Sequence, residues 1–465
     1  MLPPPARSSA GQPTADQPFP LGAVAYEDAT GTRSRDISQL LGPRPRYSLA
    51  KLAAYFTGPA MYRDFRPDCP WAGIRLLRAP PPEPGGGSTG AFRDAFGSAV
   101  RDAMDDHPSV AVAFSGGMDS AAVLYTAWRV CQQEGRRLVA VTLAEDDDEG
   151  RRTQDVARSV AGALAIGCEL AVVDDQAARW PEPAWTPLGP RFDAEPRLHR
   201  ALAETARGAG AGVLLHGHGA DQMLRSPRFM TGELMAARRP AAAARYAADR
   251  RASRELGAEG AALAARAMRA APGATAYLTF ARKDLAEPAS PVLTAAAAAA
   301  ARQWLAGTVT SLRADHARRG RSWATAGAVD ALFPIDALDP STELPEPAPF
   351  LAPPVAASAW RIRLTKRYGE TLPTPYFRAK SLVLGLMPGQ VQQALVGHRQ
   401  RGYLAYSRYW QAAGTQAPRL EALGLVRPGW LAHCRSAFDA AMVHACENWV
   451  TGAEERGAEP DGQGL

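Results

Sequence analysis

The sequence predicts an α/β fold, a doubly wound parallel sheet with a large helical portion, on three observations. Apolar runs of strand length recur at Val110–Phe114, Leu138–Leu143 and Glu169–Val173, with helical stretches between them. Strands that alternate with helices in this way assemble side by side in parallel. The first run breaks abruptly into Ser115-Gly116-Gly117-Met118-Asp119-Ser120 before a helix-forming segment, which is a strand, a tight loop and a helix. Residues 230–320 are rich in Ala and Arg and read as helix throughout.

Size and composition narrow the class. A chain of 465 residues exceeds one ordinary core, so two domains or one large decorated domain are expected. The hydrophobic fraction of 46% is that of a soluble globular protein. No apolar run approaches the length of a membrane span, and Met1–Pro20 is Pro- and Ser-rich rather than signal-like, so a cytoplasmic protein is expected. Cys69, Cys131, Cys168, Cys434 and Cys446 lie far apart, with no Cys-x-x-Cys pair and no His at ligand spacing; they read as reduced thiols, and no zinc site is expected. The net charge of +6 comes from scattered arginines, which gives no reason to expect nucleic acid.

Taken in order, residues 1–20 lack periodicity and are expected to be disordered. Residues 21–78 read as a small N-terminal domain with short apolar pieces at Leu21–Tyr26 and Trp71–Leu77 and a helix-like piece over Ser48–Phe56. Residues 79–90 form a Pro/Gly linker. The catalytic domain is expected over 91–412. It opens with a helix whose apolar face is Phe92, Phe96, Val100 and Met104. A helix over 120–134 follows the Gly-Gly loop, and another, over 151–165, follows the acidic turn Glu145–Glu149. In the 230–320 region, Leu234, Tyr246, Leu256, Leu263, Met268 and Trp304 are the expected core contacts. The remainder, 413–465, is expected to hold one helical piece, Trp430–Trp449, and a polar tail.

The loop after Val110–Phe114 carries the chemistry. Adjacent glycines let the backbone approach a ligand closely, and the helix start adds partial positive charge, so a phosphate is the natural guest. An aspartate beside a phosphate calls for a bridging cation, and Mg2+ is the obvious one. The string resembles the pyrophosphatase loop of the ATP-pyrophosphatase (PP-loop) superfamily, whose members cleave ATP between its α- and β-phosphates and adenylate a substrate. Leu215-His216-Gly217-His218-Gly219-Ala220-Asp221-Gln222 resembles the Gly-x-Gly-Ala-Asp-Glu segment of asparagine synthetase-like enzymes.

That resemblance implies ATP and Mg2+ as cofactors. Ser115, Gly116, Gly117, Asp119 and Ser120 would hold the phosphates, Ala113 and the backbone of Val141 the adenine, with His216 and Gly217 completing the nucleotide site. Asp119 and Asp221 would share the metal, although a turn or N-cap aspartate explains Asp221 as well. His218 stands where the resembling families vary their residue. It is a candidate base for an attacking ammonium group, with a loop-bonded histidine as the alternative. Ala348–Leu351 resembles a Pro-Phe-Leu-Asp segment, with Ala352 in place of the aspartate. Tyr376–Leu382 and Gly385–Val391 resemble the Lys-x-Leu-Leu-Arg and Leu-Leu-Pro-x-x-Val segments, in a register that yields no clean lysine; Lys380 is the candidate catalytic cation there. Arg401-Gly402, with Arg399 nearby, matches the family's Lys-Gly pair, and Arg401 is a candidate charge stabiliser or else a basic surface turn.

Full glutamine-dependent members begin with a catalytic cysteine after the initiator methionine. Here Leu2 holds that place and the preceding domain is short, so glutamine hydrolysis is not expected, and residues 21–78 read as a degenerate remnant of that domain. The resemblance is closest in type to lasso-peptide cyclases and β-lactam synthetases. It implies adenylation of a carboxylate and amide formation within a precursor peptide, with a leader-peptide-binding protein and a protease as partners. A small amino-acid-like substrate is the alternative, and a non-catalytic nucleotide- or peptide-binding homologue is the alternative of another class.

Overall fold

The computed structural model describes residues 24–57, 68–78, 85–144, 146, 150–173, 185–190, 196–268, 289–332, 344–389, 395, 416–434, 437–462 and 465. The expected disorder of 1–20, residues 79–84 of the linker, the acidic turn apart from Asp146, Val391, Arg399 and the Arg401-Gly402 pair lie outside these residues.

Among the described residues, β1 (Val24–Glu27) pairs antiparallel with β2 (Arg33–Ser34) and, on its other edge, with β4 (Arg75–Arg78), while β3 (Arg46–Tyr47) lies outside this sheet and leads into α1 (Leu49–Ala54). Four strands make the parallel sheet: β5 (Ser109–Ala113), β6 (Arg137–Leu143), β7 (Glu169–Val173) and β8 (Val213–Leu215), in the spatial order β7-β6-β5-β8. The apolar runs form these strands because both faces are covered: Val110, Ala111 and Val112 are fully buried, as are Val139, Ala140 and Val141. The expected α/β class is therefore borne out.

The helix before β5, α2 (Thr89–Ala103), is capped by the Ser88 side chain, which accepts the Ala91 amide at 3.0 Å. It buries the four residues its spacing selected, Phe92, Phe96, Val100 and Met104. After β5 comes α3 (Met118–Glu134), which ends at Gly135 in the left-handed conformation. Between β6 and β7 lies α4 (Thr153–Ala163), and α5 (Pro196–Gly208) leads into β8.

The described part of 230–320 is largely helical: α7 (Thr231–Ala236), α8 (Pro240–Ala252), α9 (Leu256–Ala267) and a long helix over Ala295–Arg318. Leu234 and Tyr246 are core residues as expected. Leu256, Leu263 and Met268 are not; they are 45%, 39% and 70% exposed. The buried face of α9 is Ala258, Ala262 and Ala265, because alanines allow close helix packing. Glu259, also buried, fixes that rotation by accepting the Phe229 amide at 2.7 Å and the Thr231 hydroxyl at 2.8 Å.

A second core joins the two ends of the chain. Tyr47, Leu52, Phe56 and Trp71 pack with Leu293, Ala297, Leu420, Trp430 and Trp449. The Tyr47 hydroxyl donates to Glu454 at 2.9 Å, and β3 pairs in parallel with β9 (Glu459–Pro460). The C-terminal helical piece divides in two. A 3-10 turn over Trp430–His433 precedes the helix Ala437–Glu454, and Trp449 is core as expected.

Candidate active site

From β5 the chain runs to β6 and β7 on one side and returns to β8 on the other. The order therefore reverses between β5 and β8, and in open sheets of this kind ligands bind beyond the carboxyl ends of the strands at such a switch point. The Ser115 loop and the His216 loop leave the sheet at these two strands.

The first loop is set by its own hydrogen bonds. Gly116 has φ +77, and a Cβ there would lie 2.8 Å from Val156 Cγ1. The Ser115 hydroxyl accepts the Gly117 amide at 3.3 Å and sits 3.2 Å from the Ser120 hydroxyl, which donates to the Gly117 carbonyl at 3.1 Å. Asp119 lies in the first turn of α3, beside the helix's unpaired amides.

The second loop packs directly onto the first. A Cβ at Gly217 would lie 2.9 Å from the Ser120 nitrogen and 3.0 Å from the Asp119 carbonyl carbon, so only glycine allows this backbone-to-backbone approach. The short helix α6 (Ala220–Leu224) starts here with Gly219 as its N-cap, and Asp221 stands in the first turn rather than at the cap.

A third segment closes the group. The Lys380 ammonium lies 2.6 Å from Asp119 Oδ2 and 2.9 Å from Asp221 Oδ1, with the lysine side chain only 4% exposed. Its position is fixed by its neighbours. The Arg378 guanidinium donates to both oxygens of Asp249 at 2.6 and 2.8 Å and to the carbonyls of Leu372 and Pro373. The Ser226 amide, two residues after α6, donates to the Ala379 carbonyl at 2.7 Å. The Tyr376 ring centroid lies 5.2 Å from Lys380 Nζ.

The charges are strongly coupled. Burial works against the Lys380 ammonium, but Asp119 and Asp221 more than offset it, so the lysine titrates above its usual range and stays charged. Burial pushes the Asp119 carboxyl up; Lys380 pulls it back, Asp221 adds to the rise, and Arg225 opposes it. Asp119 Oδ1 is buried with no hydrogen-bond partner among the described residues, whereas the Asp221 side chain is 48% exposed. The site thus offers a buried carboxylate oxygen on Asp119 beside the half-exposed carboxylate of Asp221. Such a donor set suits a hard divalent cation.

The remaining candidates are placed as follows. Ala113 ends β5 opposite Val141, and the Val141 carbonyl already accepts the Phe114 amide at 2.7 Å, leaving only its second lone pair for an adenine. His216 turns away from the loop: its amide donates to the Pro347 carbonyl at 3.0 Å, and its Nε2 lies 3.2 Å from Glu346 Oε2. Its amide and Nε2 are thus engaged by the 344–348 segment. The half-buried His218 lies in the turn between Gly217 and Gly219. Arg401 lies outside the described residues. Sequence reasoning missed Arg225 and Tyr376. Arg225 acts on Asp119, more than a hundred residues away, and had no local signal, whereas Tyr376 stands four residues before Lys380, a helical spacing that was the available signal.

A family model described as asparagine synthase matches residues 91–448, more than half of the chain. No curated protein matches the sequence significantly.

Proposed function

Since the chain belongs to the asparagine synthase family of ATP-dependent amide-bond ligases, we propose that it adenylates a side-chain carboxylate of a precursor peptide and joins it to an amine of the same peptide. The observation that carries this reading is the convergence of Asp119 and Asp221 on Lys380 beside the Ser115–Ser120 loop.

In the first half-reaction a carboxylate oxygen attacks the α-phosphorus of ATP, the bond to the β-phosphate's bridging oxygen breaks, and pyrophosphate leaves. Ser115, Ser120 and the amides of Gly116 and Gly117 hold the departing phosphates, and the Lys380 ammonium stabilises the charge that develops on them. Asp119 and Asp221 would hold Mg2+, which supplies Lewis-acid charge neutralisation of the polyphosphate when bound. In the second half-reaction the amine attacks the acyl carbon, AMP leaves, and the amine proton passes to a base, for which His218 stands at the loop turn.

The resemblance of the Arg401-Gly402 pair and the helical region to lasso-peptide cyclases supports a peptide substrate. So does a cleft of about 410 Å3 beside Lys380, lined by Arg225, Tyr246, Tyr368, Tyr376 and Phe377, which is large enough for a peptide side chain. A leader-peptide-binding protein and a protease would be its partners. Incubation with ATP and candidate precursor peptides, read by mass spectrometry, tests this reading. Loss of one water with release of AMP supports it. AMP release with free amino-acid-like acids but with no peptide makes the protein a small-molecule amide synthetase.

One observation favours a different class. Lys380 already bridges the two metal-type carboxylates, and Gln222 and Ala352 depart from the family's Glu and Asp. A protein that binds nucleotide without cleaving it would show ATP binding and no pyrophosphate exchange with any carboxylate.

A further inference from the structure

We propose that His199, His216 and Glu346 form a binding site for a divalent transition metal, zinc first, distinct from the Asp119–Asp221 pair. One ligand-type atom from each residue lies within 4.8 Å of the others. The imidazoles of His199 and His216 face each other with ring centroids 5.5 Å apart, and Glu346 Oε2 is 3.2 Å from His216 Nε2. The His216 and Glu346 side chains are 5% and 2% exposed.

Three separate elements supply these groups. His199 is on α5, His216 follows β8, and Glu346 lies in the segment 344–348 that runs along β8. The backbone fixes the last two relative to each other, because the Leu214 amide donates to the Pro345 carbonyl at 2.9 Å and the His216 amide to the Pro347 carbonyl at 3.0 Å. Supporting bonds of this kind orient ligands in built metal sites.

The chemistry fits. Two imidazole nitrogens with one carboxylate oxygen form a ligand set preferred by zinc and related borderline ions over magnesium. Zinc bonds of about 2.0–2.2 Å hold tetrahedral ligand atoms about 3.3–3.6 Å apart, so atoms now up to 4.8 Å apart must close by at most about 1.5 Å. Sequence spacing hides the set, because Glu346 lies 130 residues from His216. A metal here would pin the base of the loop that carries Gly217, His218 and Asp221, so its role is to order that loop.

The test uses the full chain, stripped of metal with a chelator and titrated with Zn2+ against a chromophoric competitor, then with Co2+ to read the absorption of a low-coordinate site. The expected result is one equivalent bound by the wild type. His199→Ala and Glu346→Gln should each weaken binding by more than the roughly 10–100-fold that changes to supporting residues cost. Asp119→Asn should bind zinc as the wild type does. His199 is only partly buried, so its alanine variant tests the site even where Glu346→Gln fails to fold. Zinc held no more tightly by the wild type than by His199→Ala overturns the site and leaves a His216–Glu346 hydrogen bond in its place.

Discussion

Replacing Lys380 with methionine keeps the side-chain volume and removes the charge that holds two helix starts together. The ammonium lies 2.6 and 2.9 Å from its two carboxylates. At an effective dielectric constant near 20, each contact is worth roughly 6 kcal/mol of gross attraction. Desolvating the ammonium takes back several kcal/mol, and removing one partner of a buried pair costs about 3–5 kcal/mol net. Asp221 is 48% exposed, so its share is screened by water and the loss falls near the low end, about 3 kcal/mol. Chemical denaturation without divalent ions measures this directly as a lower midpoint with an unchanged slope. Mg2+ should then restore more stability to Lys380→Met than it adds to the wild type, because the variant leaves both carboxylates open to it. A loss below about 1 kcal/mol, or equal Mg2+ stabilisation in both proteins, would refute the reasoning.

Other perturbations have definite outcomes. Gly217→Ala puts a Cβ within 3.0 Å of backbone atoms of Asp119 and Ser120, so the two loops must separate; the expected cost is about 1–3 kcal/mol in thermal unfolding and on the order of a hundredfold in turnover. His218→Gln should preserve ATP affinity and slow the bond-forming step, whereas unchanged single-turnover rates would remove His218 from the chemistry. Asp249 gives a pH signature: burial works against its charge, but hydrogen bonds from Arg378 and Tyr368 outweigh burial and hold its carboxyl below the ordinary value of 3.8. Its charged form therefore stabilises the fold above that value, and the contribution is lost as pH falls below it. Asp249→Asn should cost about 3 kcal/mol near pH 7, and the difference from wild type should shrink in acid unfolding below pH 4; a pH-independent difference would contradict the assignment.

The parts legible in the sequence were those decided locally. The strand–loop–helix at Val110–Glu134 is written in consecutive residues, because a two-sided apolar strand, a glycine pair and a helix former can hardly fold otherwise. The spacing of Phe92, Phe96, Val100 and Met104 likewise selected a face that is buried. The misread parts depended on partners far away in the chain. Leu256 and Leu263 looked like core by hydrophobicity, but alanines and the Glu259 hydrogen bonds set the rotation of α9. The engagement of His216 by Pro347 and by Glu346, 130 residues further on, had no local signal. The union of Trp71 with Trp449, at a centroid distance of 5.1 Å, has no local signal at all. Lys380 was visible as a candidate cation, but its bridging of Asp119 and Asp221 became evident only once three segments met.

The central claim is that the Ser115–Ser120 loop and the Asp119–Asp221 pair bind a magnesium nucleotide. Isothermal titration of ATP into the full chain, with and without Mg2+, for the wild type and Asp119→Asn, tests it most directly. The account predicts Mg2+-dependent binding to the wild type that weakens by at least about tenfold, some 1.4 kcal/mol, in the variant. Equal affinity in the two proteins, or binding indifferent to Mg2+, would contradict it.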